Sequence, residues 1–284
     1  TGSSTLGASL KFRDTLAGRK REIRMTPMVS ADLKAFRSSN LEMRLQKGGL
    51  PPFFMSRHPK DVDYQEWLDA YWAKDIEELF RLERKASFHT FFQLLMAQSG
   101  GIFEAVRFSG ACEVSRPTIK NYLSILEETH IVHIIRPFSS RKSSEIISAP
   151  KVYGFDTGFV CFHRGWARPK PENLGLLWEH YVLNELAGRL QLRQVRYWRD
   201  KRGHEVDFVL QPRGGQPLAM ECKWSADRMD PAGLQAFRRR HPNGNNYVVV
   251  PRLEKPENLS LGGIRIRRLG LEGLVSELRR FRLS

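Results

Sequence analysis

No apolar run in this 284-residue sequence approaches the ~18–20 residues that a membrane-spanning helix needs, so no membrane partner is expected. No Gly-x-x-x-x-Gly-Lys-Ser/Thr loop occurs either. Without that cradle of backbone N–H groups and its lysine, a triphosphate has nothing to hold it, and the chain alone is not expected to hydrolyse ATP. Cysteine is scarce: Cys112, Cys161 and Cys222 are widely spaced and odd in number. This excludes a disulfide framework or a cysteine-rich zinc site and suits a reducing, cytoplasmic setting. Acids are short as well, 31 Asp and Glu against 46 Lys and Arg, which leaves a formal charge of +15. An excess of that sign favours a polyanion, and with no basic amphipathic anchor in view the expected partner is DNA.

What is present fits a soluble, globular chain. Hydrophobic residues make up 41% and charged residues 27%, and the length suffices for two or three domains of roughly 100–200 residues. The chain opens on Thr1 rather than Met, which points to a fragment or processed product. Three segments follow from the punctuation: 1–85, 86–155 and 170–284. The first carries a helical run, "YQEWLDAYWAKDIEELFRLE", over 64–83.

In the second segment "FHTFFQLLMAQSG" reads as a helix stopped by Gly100-Gly101, and the stretch after it as helix, turn, helix, strand. Ile119, Tyr122, Leu123 and Leu126 form an apolar i, i+3, i+4, i+7 stripe. Ser115 is placed to cap that helix, with Pro117 just inside it. Arg116, Thr118, Lys120 and Asn121 are left facing outward near its start. "HIVHIIRPF" and "SAPKVYGF" alternate as a strand pair.

The third segment reads as helix over 172–190, strands over 195–198, 205–211 and 218–224, helix over 231–240 and strand over 247–250. A short strand over 264–268 and a helix over 271–280 follow. The αβββαβ order predicts an α/β layer within an α+β chain. Its central hairpin, "GHEVDFVLQPRGGQPLAMECKW", is odd. Counted from Gly214, Asp207 lies as far before the turn as Glu221 lies after it, so a symmetric hairpin sets them opposite each other. Alternation predicts Val206, Phe208 and Leu210 on one face with Leu218, Met220, Cys222 and Trp224. Asp207, Glu221 and Lys223 share the other. Two carboxylates across a strand pair repel unless a cation or proton lies between them.

Asp207…Glu221-Cys222-Lys223 on that element order resembles the PD-(D/E)xK nuclease superfamily. The resemblance implies Mg²⁺ on Asp207 and Glu221, a further acid from the preceding helix (Glu179), and Lys223 steadying the transition state or the attacking water. It makes Glu179, Asp207, Glu221 and Lys223 the candidate catalytic set. The same side chains could equally form an ion-paired structural cluster with Lys223 and neighbouring arginines. The helix pair with its two strands resembles a winged helix-turn-helix, in which the start of the second helix contacts base edges; the same motif also serves as a protein interface.

A wider likeness spans nearly the whole chain. "TGSSTLGASLKFRDTLAGRK", "KGGLPPFF", "SRPTIKNYLSILEETHIVHIIRPF", "KVYGFDTGF", "LWEHYVLNEL", "YWRDKRGHEVDFVL" and "AMECKWS" occur in that order. This succession resembles a prokaryotic family that joins an AAA-type ATPase core to a C-terminal domain of unknown function with a winged helix and a PD-(D/E)xK-like fold. The resemblance implies that residues 1–85 are a sensor-1 and lid remnant, 86–155 the winged helix and 170–284 the nuclease-like domain. Ser3 and Ser4 would be phosphate-sensing remnants and Arg19 a former arginine finger, with ATP bound only through a missing N-terminal half. It also implies an ATPase partner or a homo-oligomer. Two functions follow: a DNA-associated module with a Mg²⁺-dependent endonuclease domain, or a non-catalytic regulatory module that uses a nuclease-like fold to dock a partner.

Overall fold

The structure, a computed structural model, describes residues 23–38, 40–77, 80, 82, 84–139, 149–225 and 229–283. Ser3, Ser4 and Arg19 lie outside the described residues. Four helices come first: α1 (Ser30–Ala35), α2 (Leu41–Lys47), α3 (Pro51–Met55) and α4 (Asp61–Tyr71), which runs into a π-helical turn at Trp72–Glu77. Then come α5 (Lys85–Ala97), β1 (Gly101–Ile102), α6 (Ala105–Ser109), α7 (Arg116–Glu128), β2 (Val132–Pro137), β3 (Lys151–Gly154) and α8 (Thr157–His163). The remainder is α9 (Pro171–Arg189), β4 (Arg196–Arg199), β5 (Glu205–Leu210), β6 (Leu218–Cys222), α10 (Ala232–Arg240), β7 (Asn246–Val249), β8 (Glu257–Leu261), β9 (Ile264–Leu269) and α11 (Leu271–Leu278). Helices and a mixed sheet make the chain α+β overall, the expected class.

Among the described residues, nine strands join one sheet in the order β1-β3-β2-β4-β5-β6-β7-β9-β8. β2 and β3 pair antiparallel, and β2 then lies parallel to β4, Arg136 opposite Arg196 and Pro137 opposite Tyr197. The strand pair that follows α7 therefore extends the sheet of the third segment. β5 and β6 form the central hairpin, and the α10 crossover returns the chain to β7, parallel to β6.

Three apolar cores hold these layers. In one, α9 lies on the sheet through Leu177, Trp178, Tyr181 and Leu186 against Phe208, Met220, Tyr247 and Val249, with Leu45 of α2 and Leu274 of α11 closing its rim. A second, rich in aromatics, gathers α3 to α8 around Phe88, Phe91, Phe92, Tyr122 and Phe159. The third sets Leu234 and Phe237 of α10 against Val209, Ala219 and Val248 on the opposite sheet face. Leu33, Leu45 and Phe54 enter the first core while Phe53, Tyr64 and Leu68 enter the second, so the residues before Lys85 cement the later ones.

Helix α7 starts as its sequence dictates: Ser115 Oγ accepts from Thr118 N at 3.3 Å, and Pro117 lies in the first turn. Its predicted stripe, Ile119, Tyr122, Leu123 and Leu126, is buried. The alternation predicted for the hairpin needs one correction. Phe208 and Leu210 share a core with Leu218, Met220 and Cys222, but Val206 sits in the opposite core with Val209. The cause is a bulge. Arg196 pairs with Val209 and Trp198 with Val206, so two steps of β4 face three of β5 and the extra residue lies between Val206 and Val209. An inserted residue breaks the period of two and re-aims a side chain.

Candidate active site

That bulge falls at Asp207. The ladder pairs Phe208 with Met220, Val209 with Ala219 and Leu210 with Leu218. Continued by one residue, the register sets Asp207 opposite Glu221, as the count from Gly214 predicts. Asp207 Oδ2 accepts from Cys222 N at 2.7 Å, so a carboxylate takes up a backbone N–H of the facing strand. Glu221, 5% exposed, is bonded through Oε2 to Lys223 Nζ at 2.8 Å. Beside it Gly233, in the first turn of α10, comes so close that a Cβ there would stand 2.1 Å from Glu205 O and 3.0 Å from Glu221 Oε1. Only glycine permits that approach.

Helix α9 supplies Glu179, and its rotation is fixed by the residues on either side. Trp178 Nε1 donates to Val249 O at 2.9 Å across the core. His180 Nδ1 lies 2.8 Å from Leu176 O, so that nitrogen carries the proton and Nε2 accepts from Ser99 Oγ at 2.6 Å. Ser99 Oγ in turn accepts from Gly154 N at 2.6 Å, which ties α9 to β3. Between these anchors Glu179 is held by the Tyr153 hydroxyl, which donates to its Oε1, and by Lys151 Nζ at 3.5 Å. Lys151 also pairs with Glu205 Oε1, and Arg199 Nε stands 3.8 Å from Glu205 Oε2.

The electrostatics follow from crowding. Loss of hydration, then the nearby Glu179, pushes the Asp207 carboxyl up, against the pull of Lys223 and Lys151. Burial, then Asp207, does the same to Glu221. For the two lysines burial works downward, but Glu221 and Asp207 hold Lys223 above its usual value, and Glu179, Asp207 and Glu205 do so for Lys151. Four carboxyl groups face two ammonium groups, with Arg199 at the edge, and protons cling to Asp207, Glu221 and both lysines.

Glu179, Asp207, Glu221 and Lys223, chosen from the sequence as a catalytic set, thus gather around one end of the β5–β6 hairpin. Lys151, Tyr153 and Glu205 belong to the same cluster and were missed. Glu205, two residues from Asp207, carried a signal in its spacing. Lys151 and Tyr153 carried none, because "KVYGF" reads only as an outer strand. The predicted DNA-contacting residues stand on a separate surface: Arg116, Lys120 and Asn121 are exposed on α7, whereas the Thr118 hydroxyl is engaged with Ser115 Oγ at 2.8 Å.

Hard carboxylate oxygens suit Mg²⁺ chemically, but the arrangement does not. Mg²⁺ requires a near-ideal octahedron at about 2.0–2.1 Å. Among the described residues no three His, Cys, Asp or Glu side chains stand together as a metal-binding group. Each acid also has an oxygen committed: Asp207 to Cys222 N, Glu221 to Lys223, Glu179 to Tyr153, Glu205 to Lys151.

Comparison with known proteins places two models on the chain. Residues 38–170 match a domain of unknown function, DUF8612, and residues 174–266 match another, DUF4143. The second covers the hairpin and both of its neighbouring helices. Uncharacterized proteins of Mycobacterium tuberculosis and Mycobacterium bovis are each 26% identical over 218 residues, 74% of this chain and 48% of theirs. The chain therefore spans about half the length of the curated relatives it matches. Among solved structures, a half-complex of Thermococcus gammatolerans McrB AAA+ hexamers with bound McrC aligns over 95% of this chain and 74% of the matched one, at 10% identity and a TM-score of 0.29. Among the described residues no helix is long and apolar enough to cross a membrane.

Proposed function

We propose that this chain is a DNA-associated C-terminal portion of an AAA-type ATPase, with a winged-helix element over α5–β3 and a PD-(D/E)xK-type acidic centre of endonuclease character on the β5–β6 hairpin. The observation that carries the reading is the convergence of Glu179, Asp207, Glu221 and Lys223 at a bulged hairpin that lies between α9 and α10 in an αβββαβ order. Bulges recur beside active sites because they re-aim one side chain out of a ladder, and titratable groups displaced by burial and by one another mark functional sites. The ATPase connection rests on the motif succession from "TGSS" to "AMECKWS" and on the half-length match to longer relatives. The α5–β3 order, helix-strand-helix-helix-strand-strand, supports the DNA-binding role, as does the charge of +15.

A second reading has its own observation. Every acid of the centre is already bonded within the protein, as expected of a nuclease-like fold kept for docking a partner. Supercoiled plasmid incubated with the chain and Mn²⁺ or Mg²⁺ separates the two. Slow nicking by the wild type, abolished in Glu221→Ala and in Lys223→Ala, supports the endonuclease. No nicking of plasmid, branched or single-stranded DNA sinks it in favour of the docking module, and equal nicking by Glu221→Ala identifies a contaminant.

A further inference from the structure

We infer that Lys151 is the built-in counter-cation of the acidic centre, and that this chain binds a divalent metal there only once the Lys151 ammonium is withdrawn. The inference rests on reading the cluster as a PD-(D/E)xK-type centre, and it accounts for the misfit between these residues and a metal. Lys151 comes from neither strand of the hairpin nor from α9. It stands on β3, in the strand pair that follows α7, where it faces Ile135 of β2. Its side chain is 6% exposed and its ammonium joins Glu205 Oε1 to Glu179 Oε1, with the Tyr153 hydroxyl at 3.3 Å. It also lies over the rings of Tyr153 and Tyr197, 5.9 and 5.6 Å from their centroids. Two acids, a tyrosine hydroxyl and the nearby Tyr197 ring hold the cation in place.

The second lysine is held differently. The Lys223 side chain is 31% exposed and pairs with one acid, Glu221, so solvent is open to it when an incoming ion takes its carboxylate. Lys151 lacks that route. It is enclosed by β3, α9 and the tyrosines, and the Tyr197 hydroxyl, donating to Ala149 O at 2.7 Å, pins the approach to β3. A monovalent ammonium thus draws Glu179 toward Glu205 and leaves Asp207 and Glu221 short of their third acid. Because Lys151 stands on β3, which pairs with β2, and β2 follows α7 in the chain, whatever shifts that strand pair also shifts the cation. The α7 surface and the acidic centre are thereby coupled through one side chain.

Isothermal titration with Mn²⁺ and thermal melts with and without Mn²⁺, on the whole chain, test this without relying on activity. The wild type is expected to give no saturable heat and no melting shift. Lys151→Met is expected to melt about 5–10 °C lower in EDTA, because it strands buried acids, and to regain about 5 °C at Mn²⁺ near one hundred times its Kd. Lys223→Met removes the same charge from the open side and is expected to show no comparable gain. If it gains as much, only net charge matters and the role of Lys151 is overturned. Wild-type binding as tight as that of Lys151→Met overturns it too. Should Lys151→Met fail to fold, Glu205→Gln, which removes one anchor of the ammonium, must gain Mn²⁺ binding; a folded Glu205→Gln without that gain refutes the proposal. Mn²⁺ binding by Lys151→Met without DNA nicking keeps the counter-cation and removes the nuclease. Equal nicking by wild type and Lys151→Met keeps the nuclease and removes the counter-cation.

Discussion

Among the described residues, two of the buried charge clusters are held in opposite ways. In the first, Asp156 caps α8 with Oδ1 accepting from Gly158 N at 2.8 Å and Oδ2 accepting from Gly49 N. Arg44, fully buried, donates to Met28 O at 2.8 Å and Thr157 Oγ1 at 3.0 Å and lies 5.1 Å over the Tyr181 ring. Two quoted motifs, "KGGLPPFF" and "KVYGFDTGF", meet here. Gly48, at φ +85°, passes so near that a Cβ would stand 1.9 Å from Asp156 Oδ1. In the second cluster, Asp207, Glu221, Glu179 and Glu205 oppose one another and share two lysines. A carboxylate matched oxygen for oxygen by backbone N–H groups is a structural knot. One matched by lysine ammonium groups, beside other carboxyls, stores unfavourable energy that a ligand can release. Burial of charge alone does not separate the two; the identity of the partners does.

The largest effect expected from this contrast lies in the knot. Asp156→Ala leaves the buried N–H groups of Gly49 and Gly158 without an acceptor and removes the carboxylate whose charge favours the buried Arg44 guanidinium, and each buried donor left unsatisfied costs about 1–3 kcal/mol. Urea unfolding should show that loss with little change in slope. A loss below about 1 kcal/mol would mean that Asp156 is not what closes α2 onto α8, and the contrast would collapse from that side.

The acidic centre should respond in the reverse direction. The carboxyl of Asp207 is raised in the folded chain by burial and Glu179, so the folded state holds its proton more tightly than the unfolded state does. Stability from this group is present in full below the ordinary carboxylate range and falls as pH rises through the folded value. Asp207→Asn keeps an acceptor for Cys222 N and discards the charge. It should gain about 1–2 kcal/mol over wild type at pH 8, discounted for partial solvent access, and little at pH 4. Urea midpoints at the two pH values measure it. Equal midpoints at pH 8 would show the acids to be as settled as Asp156.

Much of this contrast was legible in the sequence, and the part that was not has physical reasons. The hairpin register follows from symmetry about Gly214, and α9 and α7 from apolar periodicity and the Ser115 cap. The place of Val206 depends on a bulge set by β4, and local alternation contains no record of a neighbouring strand's register. The helix Thr157–His163 is seven residues of mostly buried side chains, too short for a period to emerge. The strand Glu257–Leu261 sits at the sheet edge and pairs with β9 alone, so its side chains are half solvated and show no apolar face. Glu179, Asp207, Glu221 and Lys223 could be picked because their spacing resembles a known pattern. Lys151 and Tyr153 reach them through a sheet that crosses from one segment to the next, and dividing the chain into segments hides such a contact.

The smallest expected effect concerns the α7 surface and whether it serves one purpose with the acidic centre. Arg116 and Lys120 are exposed at the start of a helix whose cap is intact. If they meet phosphates, each removes about one counterion from DNA on binding, and log K falls with log salt by about 0.9 per contact. Arg116→Ala and Lys120→Ala should each weaken binding a few-fold near physiological salt and flatten that slope by about one, with the melting temperature unchanged. Ser115→Ala serves as the control: it loses the cap, about 1 kcal/mol, but no charge, and should lower stability while leaving the slope alone. Fluorescence anisotropy of a labelled duplex across a salt series reads both quantities. Wild-type slopes in both charge variants would move DNA contact off α7, and the coupling between a DNA-facing helix and the acids behind Lys151 would lose its reason to exist.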